Sequence, residues 1–270
     1  MPRLMNRRPG REARVFLAAL PFALVLLAYL VASAARLVVN ADDKLLPWPS
    51  AFVDAMRAMA IEPDKRSGDY LFWVDTAASL LRFLAGLAIA AAIGLVLGIA
   101  IGLIPYVRAT LAAFVAVVCM VPPLAILPIL FITLGLDEVA KVTLIVLGIA
   151  PYLSRDLSFR VAEQPEELLI KAQTMGASTW QMALRVILPQ LLPRLLSGLR
   201  LSLGPAWLFL IAAEAIASTE GLGYRIFLVR RFLAMDLILP YVAWITLLAF
   251  VMDRLLAFAS RRLFPWAGAV

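Results

Sequence analysis

The sequence predicts an all-α membrane protein with about six transmembrane helices, and three observations carry that reading. Of its 270 residues, 63% are hydrophobic and 16% charged, where a soluble domain has about 45–50% and about 25%. Mean hydropathy is +0.93. Three runs, Val15 to Ala35, Phe83 to Val107 and Ala109 to Leu136, each supply the ~20 apolar residues that a helix needs to cross a bilayer. A water-soluble core cannot hide so much apolar surface, so lipid covers part of it.

The elements follow in chain order. Arg3, Arg7, Arg8, Arg11 and Arg14 make 1–14 a basic stretch, predicted to be cytoplasmic because lysine and arginine are retained on that side. Val15 to Ala35 is too long for a signal-peptide core and lacks a small-residue cleavage site, so it is read as a retained anchor. The segment 37–72 carries Asp42, Asp43, Asp54, Glu62, Asp64 and Asp69 and is predicted to be extracytoplasmic, with Trp48, Tyr70, Phe72 and Trp73 as an interfacial aromatic belt. The second and third spans are joined by a tight turn at Pro105, Tyr106 and Arg108.

Three further spans complete the count. Val139 to Leu153 is interrupted by Lys141, whose stem can snorkel. Leu195 to Ser218 contains Arg200 and Glu214, and Leu237 to Ser260 ends in a stretch with Asp253 and Arg254. Six crossings put both termini on the cytoplasmic side, in agreement with Arg261 and Arg262, and place 156–194 there as well. Arg225, Arg230 and Arg231 then fall on the outer side, against the charge rule.

Composition also excludes function classes. The net charge is +7, but the arginines flank apolar runs and form no extended basic face, so nucleic acid is not an expected partner. There is no histidine to supply imidazole to a metal site or a proton relay. Cys119 is the only cysteine, which rules out an intrachain disulfide and marks it as a small buried hydrophobe in an apolar run. No Gly-x4-Gly-Lys-Ser/Thr phosphate loop is present. No catalytic residue or metal ligand is expected, and the chain is not expected to be an enzyme.

Four patterns bear on mechanism. Gly86, Ala90, Gly94, Gly98 and Gly102 recur every four residues and let another helix approach closely, either within the chain or at a subunit interface. Val121-Pro122-Pro123 and Pro128 disrupt the third span. Backbone freed at that depth must face protein, water or a substrate path, so the break either lines a pathway with Cys119 and Met120 or only sets packing. Glu214, mid-span on the stripe Gly198, Ser202, Ala206, Leu210 and Ser218, must face the bundle interior or a cavity, as a gate or as a structural hydrogen-bonding group. Finally, Pro165, Glu166 and Glu167 suit the start of a helix, Gly176 a left-handed cap, and Ser178-Thr179-Trp180-Gln181 a capping box. Pro189 and Pro193 are expected to break the second helix. The product is two short helices joined by a glycine corner, which either passes force from a cytosolic motor or rests on the bilayer.

That last stretch resembles a family. Permease subunits of type I ABC importers carry Glu-Ala-Ala, three residues, Gly, nine residues, Ile-x-Leu-Pro; here Ala172, Gly176, Val186, Leu188 and Pro189 stand in that register, with Ile170 and Lys171 in place of the first Glu and Ala. Gly198-Leu199-Arg200-Leu201, Ala206-Trp207, Ala212-Ala213-Glu214, Gly221-Leu222-Gly223-Tyr224, Leu46-Pro47-Trp48-Pro49-Ser50 and Pro122-Pro123 look like the nitrate, sulfonate and taurine branch. The resemblance implies the type I permease fold in a bacterial inner membrane and a pathway for a small polar solute. It implies a second permease copy, two cytosolic ATPase subunits carrying ATP and Mg, and an external solute-binding protein. Glu166, Lys171, Ala172, Gly176 and Ala177 would meet the ATPase; Cys119, Met120, Pro122, Pro123, Trp207 and Glu214 are candidates for the pathway or its gate. The region from Lys171 to Trp244 also looks like permeases linked to urea or guanidine metabolism, which keeps a cationic solute open. The alternatives are an ion-coupled secondary transporter or channel, which has no need of a stiff helix–glycine–helix corner, and a membrane scaffold, against which a buried Glu214 argues.

Overall fold

The computed structural model describes residues 10–40, 43–64 and 67–267; Arg3, Arg7, Arg8 and Asp42 lie outside them. The described residues form helices and no strands. In order these are α1 (Arg11–Val39), α2 (Pro49–Ala60), α3 (Leu71–Leu103), α4 (Pro105–Val118), α5 (Pro123–Leu134), α6 (Glu138–Ala162), α7 (Glu166–Thr174), α8 (Thr179–Gln181), α9 (Leu188–Ala217), α10 (Leu222–Arg230) and α11 (Met235–Leu263). A π-helical stretch, Met182–Ile187, joins α8 to α9.

Five helical stretches are long and apolar enough to cross a membrane: α1, α3, α6, α8 through α9, and α11. The pair α4 and α5 passes the same test jointly but is bent by 96°. The third span is therefore two helices meeting at a corner, Cys119 to Pro122, because neither Pro122 nor Pro123 can donate a backbone hydrogen bond across it. The second span begins earlier than its uncharged run, at Leu71, because Asp75 and Arg82 find partners inside the protein. The fourth continues past Leu153 to Ala162.

The core is α3 laid along α6, with α9 across both. The small-residue stripe makes this possible: a Cβ on Gly94 would stand 2.6 Å from the Leu153 Cβ, and one on Gly98 2.6 Å from the Leu157 Cβ. The stripe is thus a packing seam within one chain. Gly98→Val is expected to destabilise the chain by about 1–3 kcal/mol through overpacking, whereas Gly204→Ala, where nothing lies within 4 Å, leaves stability unchanged or slightly raised; unfolding midpoints in detergent compare the two.

α1 stands outside this core. Ser33 is its one buried residue. Its Ser33 hydroxyl donates to the Leu46 carbonyl (2.8 Å), its Tyr29 hydroxyl to the Pro47 carbonyl (2.6 Å), and Arg36 pairs with Asp43. Of the expected aromatic belt, Trp48, Tyr70 and Trp73 are exposed, but Phe72 is buried against Tyr241 and Trp244.

Pro189 and Pro193 do not break the helix that holds them. Pro189 lies in the first turn of α9 and Pro193 inside it. The π-helical turn before Pro189 is wider than an α turn and shifts the carbonyl that its ring would strike. The helix from α8 to Ala217 therefore runs as one body of 39 residues.

Candidate functional site

Three features concentrate the chemistry. The first is the corner between α7 and α8. α7 starts after Pro165 with Glu166 and Glu167 in its first turn, where carboxylates suit the dipole, and it buries no residue. It ends in a Schellman motif: the Gly176 N–H donates to the Gln173 carbonyl (2.9 Å) and the Ala177 N–H to the Ala172 carbonyl (3.0 Å). This geometry sets Gly176 at φ +81°, the left-handed region that an L-residue enters only at a cost. Ser178 then caps the next helix, its Oγ accepting from the Gln181 N–H (3.3 Å) while Gln181 Oε1 accepts from the Ser178 N–H (2.8 Å). Glu166, Lys171 and Gly176 are exposed; Ala172 and Ala177 are half-buried. Ile170, Met175 and Trp180 add exposed apolar side chains to the same corner. The structure brings these residues onto one short protrusion held at both ends by backbone hydrogen bonds.

The second feature is a cavity of about 380 Å³ beside the α4–α5 corner, lined by Cys119 and Pro123 from the corner, Gly148 and Tyr152 from α6, and Ser202 and Phe209 from α9. Gly148 is required here because a Cβ would overlap the Phe209 ring. Cys119 is half-buried at the rim and not sealed in the core. Met120 (75% exposed) and Pro122 sit at the tip of the corner.

The structure places the other two pathway candidates elsewhere. Trp207 is 3% exposed and stacks on Phe83 at 4.5 Å between ring centroids. Glu214 is fully buried in the third feature, an ion cluster at the opposite end of α3 from the Gly102 packing. Arg82 Nη1 donates to Glu214 Oε1 (2.8 Å) and to the Glu220 carbonyl (2.9 Å), and Arg82 also pairs with Glu138. Ser79 Oγ lies 2.8 Å from Glu214 Oε1, and the Gly223 N–H donates to Glu214 Oε2 (2.9 Å). Asp75 accepts from the Gly221 N–H (2.9 Å) and from Arg225 Nε (2.7 Å). That ion pair gives Arg225 a partner inside the protein.

Lys141 does not snorkel. It is 3% exposed, and its Nζ donates to Glu138 Oε1 (2.8 Å) and to Ser218 Oγ (3.2 Å). The cluster pins the 218–223 turn and the start of α10 to α3 and α6. Removing water from these charges is costly, and mutual pairing with several hydrogen bonds is what makes their burial tolerable. The sequence did carry a signal for it: Asp75, Ser79 and Arg82 fall at i, i+4 and i+7, on one helix face.

Membrane-crossing helices with a broken span beside a cavity, a charge-locked far end and a protruding helix–glycine–helix corner are the build of a transport permease. The chain belongs to the family described as binding-protein-dependent transport system inner membrane component, which it matches over residues 90–265, and it is the permease subunit of an ABC importer. It is 40% identical to a taurine transport system permease protein of Escherichia coli strain K12 over 75% of this chain and 74% of that one. It is 28% identical to a putative aliphatic sulfonates transport permease protein of Bacillus subtilis strain 168 over 98% of this chain and 93% of that one. With a bicarbonate transport system permease protein of Synechococcus elongatus it shares 31% identity over 71% and 69% of the two chains. A solved structure of the MetNI methionine ABC transporter has the same fold, with a TM-score of 0.60 at 20% identity, covering 74% of this chain and 97% of that one.

Proposed function

We propose that two copies of this chain form the membrane pathway of an importer for a small anionic solute, with ATP and magnesium held by two cytosolic ATPase subunits and the solute delivered by an extracytoplasmic binding protein. Both termini and the α7–α8 corner lie on the cytoplasmic side of the bacterial inner membrane. The supporting observation is the corner itself: α7 has no fully buried residue and meets the core through half-buried Leu169, and the backbone hydrogen bonds at Gly176 and Ala177 fix its direction. A rigid, largely exposed protrusion suits transmission of force from another protein. Glu166, Lys171, Ala172, Gly176 and Ala177 meet the ATPase there, and the 39-residue helix that begins at Thr179 carries the motion to the cavity wall at Ser202 and Phe209.

Cys119, Met120, Pro122 and Pro123 form the pathway side of the α4–α5 corner. Glu214 and Trp207 act from behind it, holding α9 in place. An anion is favoured over a cation for two reasons. The relatives are described as permeases for taurine, sulfonates and bicarbonate, of which the latter two are anions and taurine is a zwitterion with a sulfonate head, and the Glu214 charge is taken up by Arg82 and does not face the cavity. Reconstitution with the partner subunits tests the reading. Liposomes holding the assembly take up ethanesulfonate or taurine only with ATP and the binding protein; uptake by this chain alone, driven by an ion gradient, contradicts it and supports a secondary transporter.

A further inference from the structure

A second cavity, about 310 Å³, is lined by Cys119, Tyr152, Arg155, Asp156 and Phe159. It shares Cys119 and Tyr152 with the cavity beside the corner, so the two follow one another along α6. The first has no charged residue in its wall, and its Ser202 hydroxyl is turned to the Gly198 carbonyl at 2.9 Å. The second has two charged residues, which differ in their state. Asp156 lies 3.7 Å from Arg160, and Arg160 is also 3.0 Å from Glu163. Arg155 makes no ion pair among the described residues; its guanidinium sits 5.7 Å from the centre of the Phe159 ring. The Tyr152 hydroxyl, next to it on this face, makes no hydrogen bond among the described residues and is free to donate.

We infer that Arg155 is the anion-selecting residue of the pathway, with Tyr152 as its neutral neighbour; the inference rests on the importer reading above and names the group that sets its charge preference. In a channel with low-dielectric walls, a cation with no ion-pair partner is felt strongly, and Asp156 on the same wall is drawn towards Arg160. A planar guanidinium pairs two N–H groups with two oxygens of a carboxylate-like or sulfonate-like head. The apolar wall upstream then accepts any small tail, so charge and not shape selects the solute.

The native Cys119 provides the probe, because it is the only cysteine and lines both cavities. The purified full-length chain is treated with anionic 2-sulfonatoethyl methanethiosulfonate or cationic 2-(trimethylammonium)ethyl methanethiosulfonate, each rate being divided by that with 2-mercaptoethanol. The expected ratio favours the anionic reagent by about fivefold for one unit charge within several ångströms of wet cavity. Arg155→Gln brings the ratio near one, and Arg155→Lys keeps it. A ratio unchanged in Arg155→Gln, or a thiol that neither reagent reaches, overturns the inference. In the assembled importer, Arg155→Gln lowers ethanesulfonate uptake while ATPase co-purification persists; uptake equal to that of the unmodified assembly also overturns it. Failure of the importer reading is distinct, since the unmodified assembly then shows no ATP-dependent uptake.

Discussion

Arg82→Met destabilises the purified chain by about 3–5 kcal/mol, the usual cost of removing one partner from a buried ion pair. Arg82 is 4% exposed and Glu214 0%, so neither water nor lipid headgroups replace the lost guanidinium. The loss spreads, because the same side chain holds Glu138 and the Glu220 carbonyl. The turn that presents Gly221, Leu222 and Gly223 to Asp75, Ser79 and Glu214 then loses the guanidinium that tied it to Glu138, keeping the Lys141–Ser218 and Asp75–Arg225 links. Adding Glu214→Gln to Arg82→Met recovers much of the stability: the neutral amide still accepts from the Gly223 N–H and no longer leaves a charge unpaired. Unfolding midpoints of the three variants in detergent test this. Equal midpoints for Arg82→Met and the unmodified chain show that the cluster does not hold the bundle together.

Gly176→Val leaves the chain folded and abolishes most ATP-driven uptake. Nothing lies within 4 Å of where its Cβ would stand, so the bundle does not sense the added atoms. The backbone does: φ +81° costs an L-residue roughly 1–2 kcal/mol, and a β-branched one more. Each 1.4 kcal/mol is about tenfold in population, so the ratio of the native direction of α7 to its other directions falls about tenfold. Gly176→Asn, which tolerates the left-handed region, retains more uptake than Gly176→Val at equal membrane abundance. Equal loss in both variants, or none in either, contradicts the role given to the corner.

These two sites differ in how far the sequence announced them. The corner was legible residue by residue, because its signals are local: a proline start, acidic first turn, capping glycine and capping box all act within 17 residues, 165–181. The crossings were legible as runs of apolar residues, and the broken span as consecutive prolines. The helix ends were not, since Asp75, Arg82, Arg155 and Asp156 interrupt the runs while remaining helical. The charges of Asp75 and Arg82 are settled by residues far along the chain; Glu214 meets Ser79 across 135 positions, a distance that no local pattern spans. The same reasoning explains Lys141, whose burial depends on Ser218. Pro189 misled for a different reason: a π-helical turn, Met182–Ile187, absorbs the clash that would otherwise end the helix, and Pro193 then follows inside α9.

Force transfer from an ATPase subunit requires the α7–α8 corner to lie in the cytosol beneath that subunit. In a Cys119→Ser background, Met175→Cys places one thiol on this corner, where Met175 is 79% exposed. A membrane-impermeant maleimide is expected to label it in inside-out vesicles, not in right-side-out ones, and bound ATPase subunits are expected to block the reaction. Labelling from the outer face, or labelling that the ATPase leaves unchanged, contradicts the account.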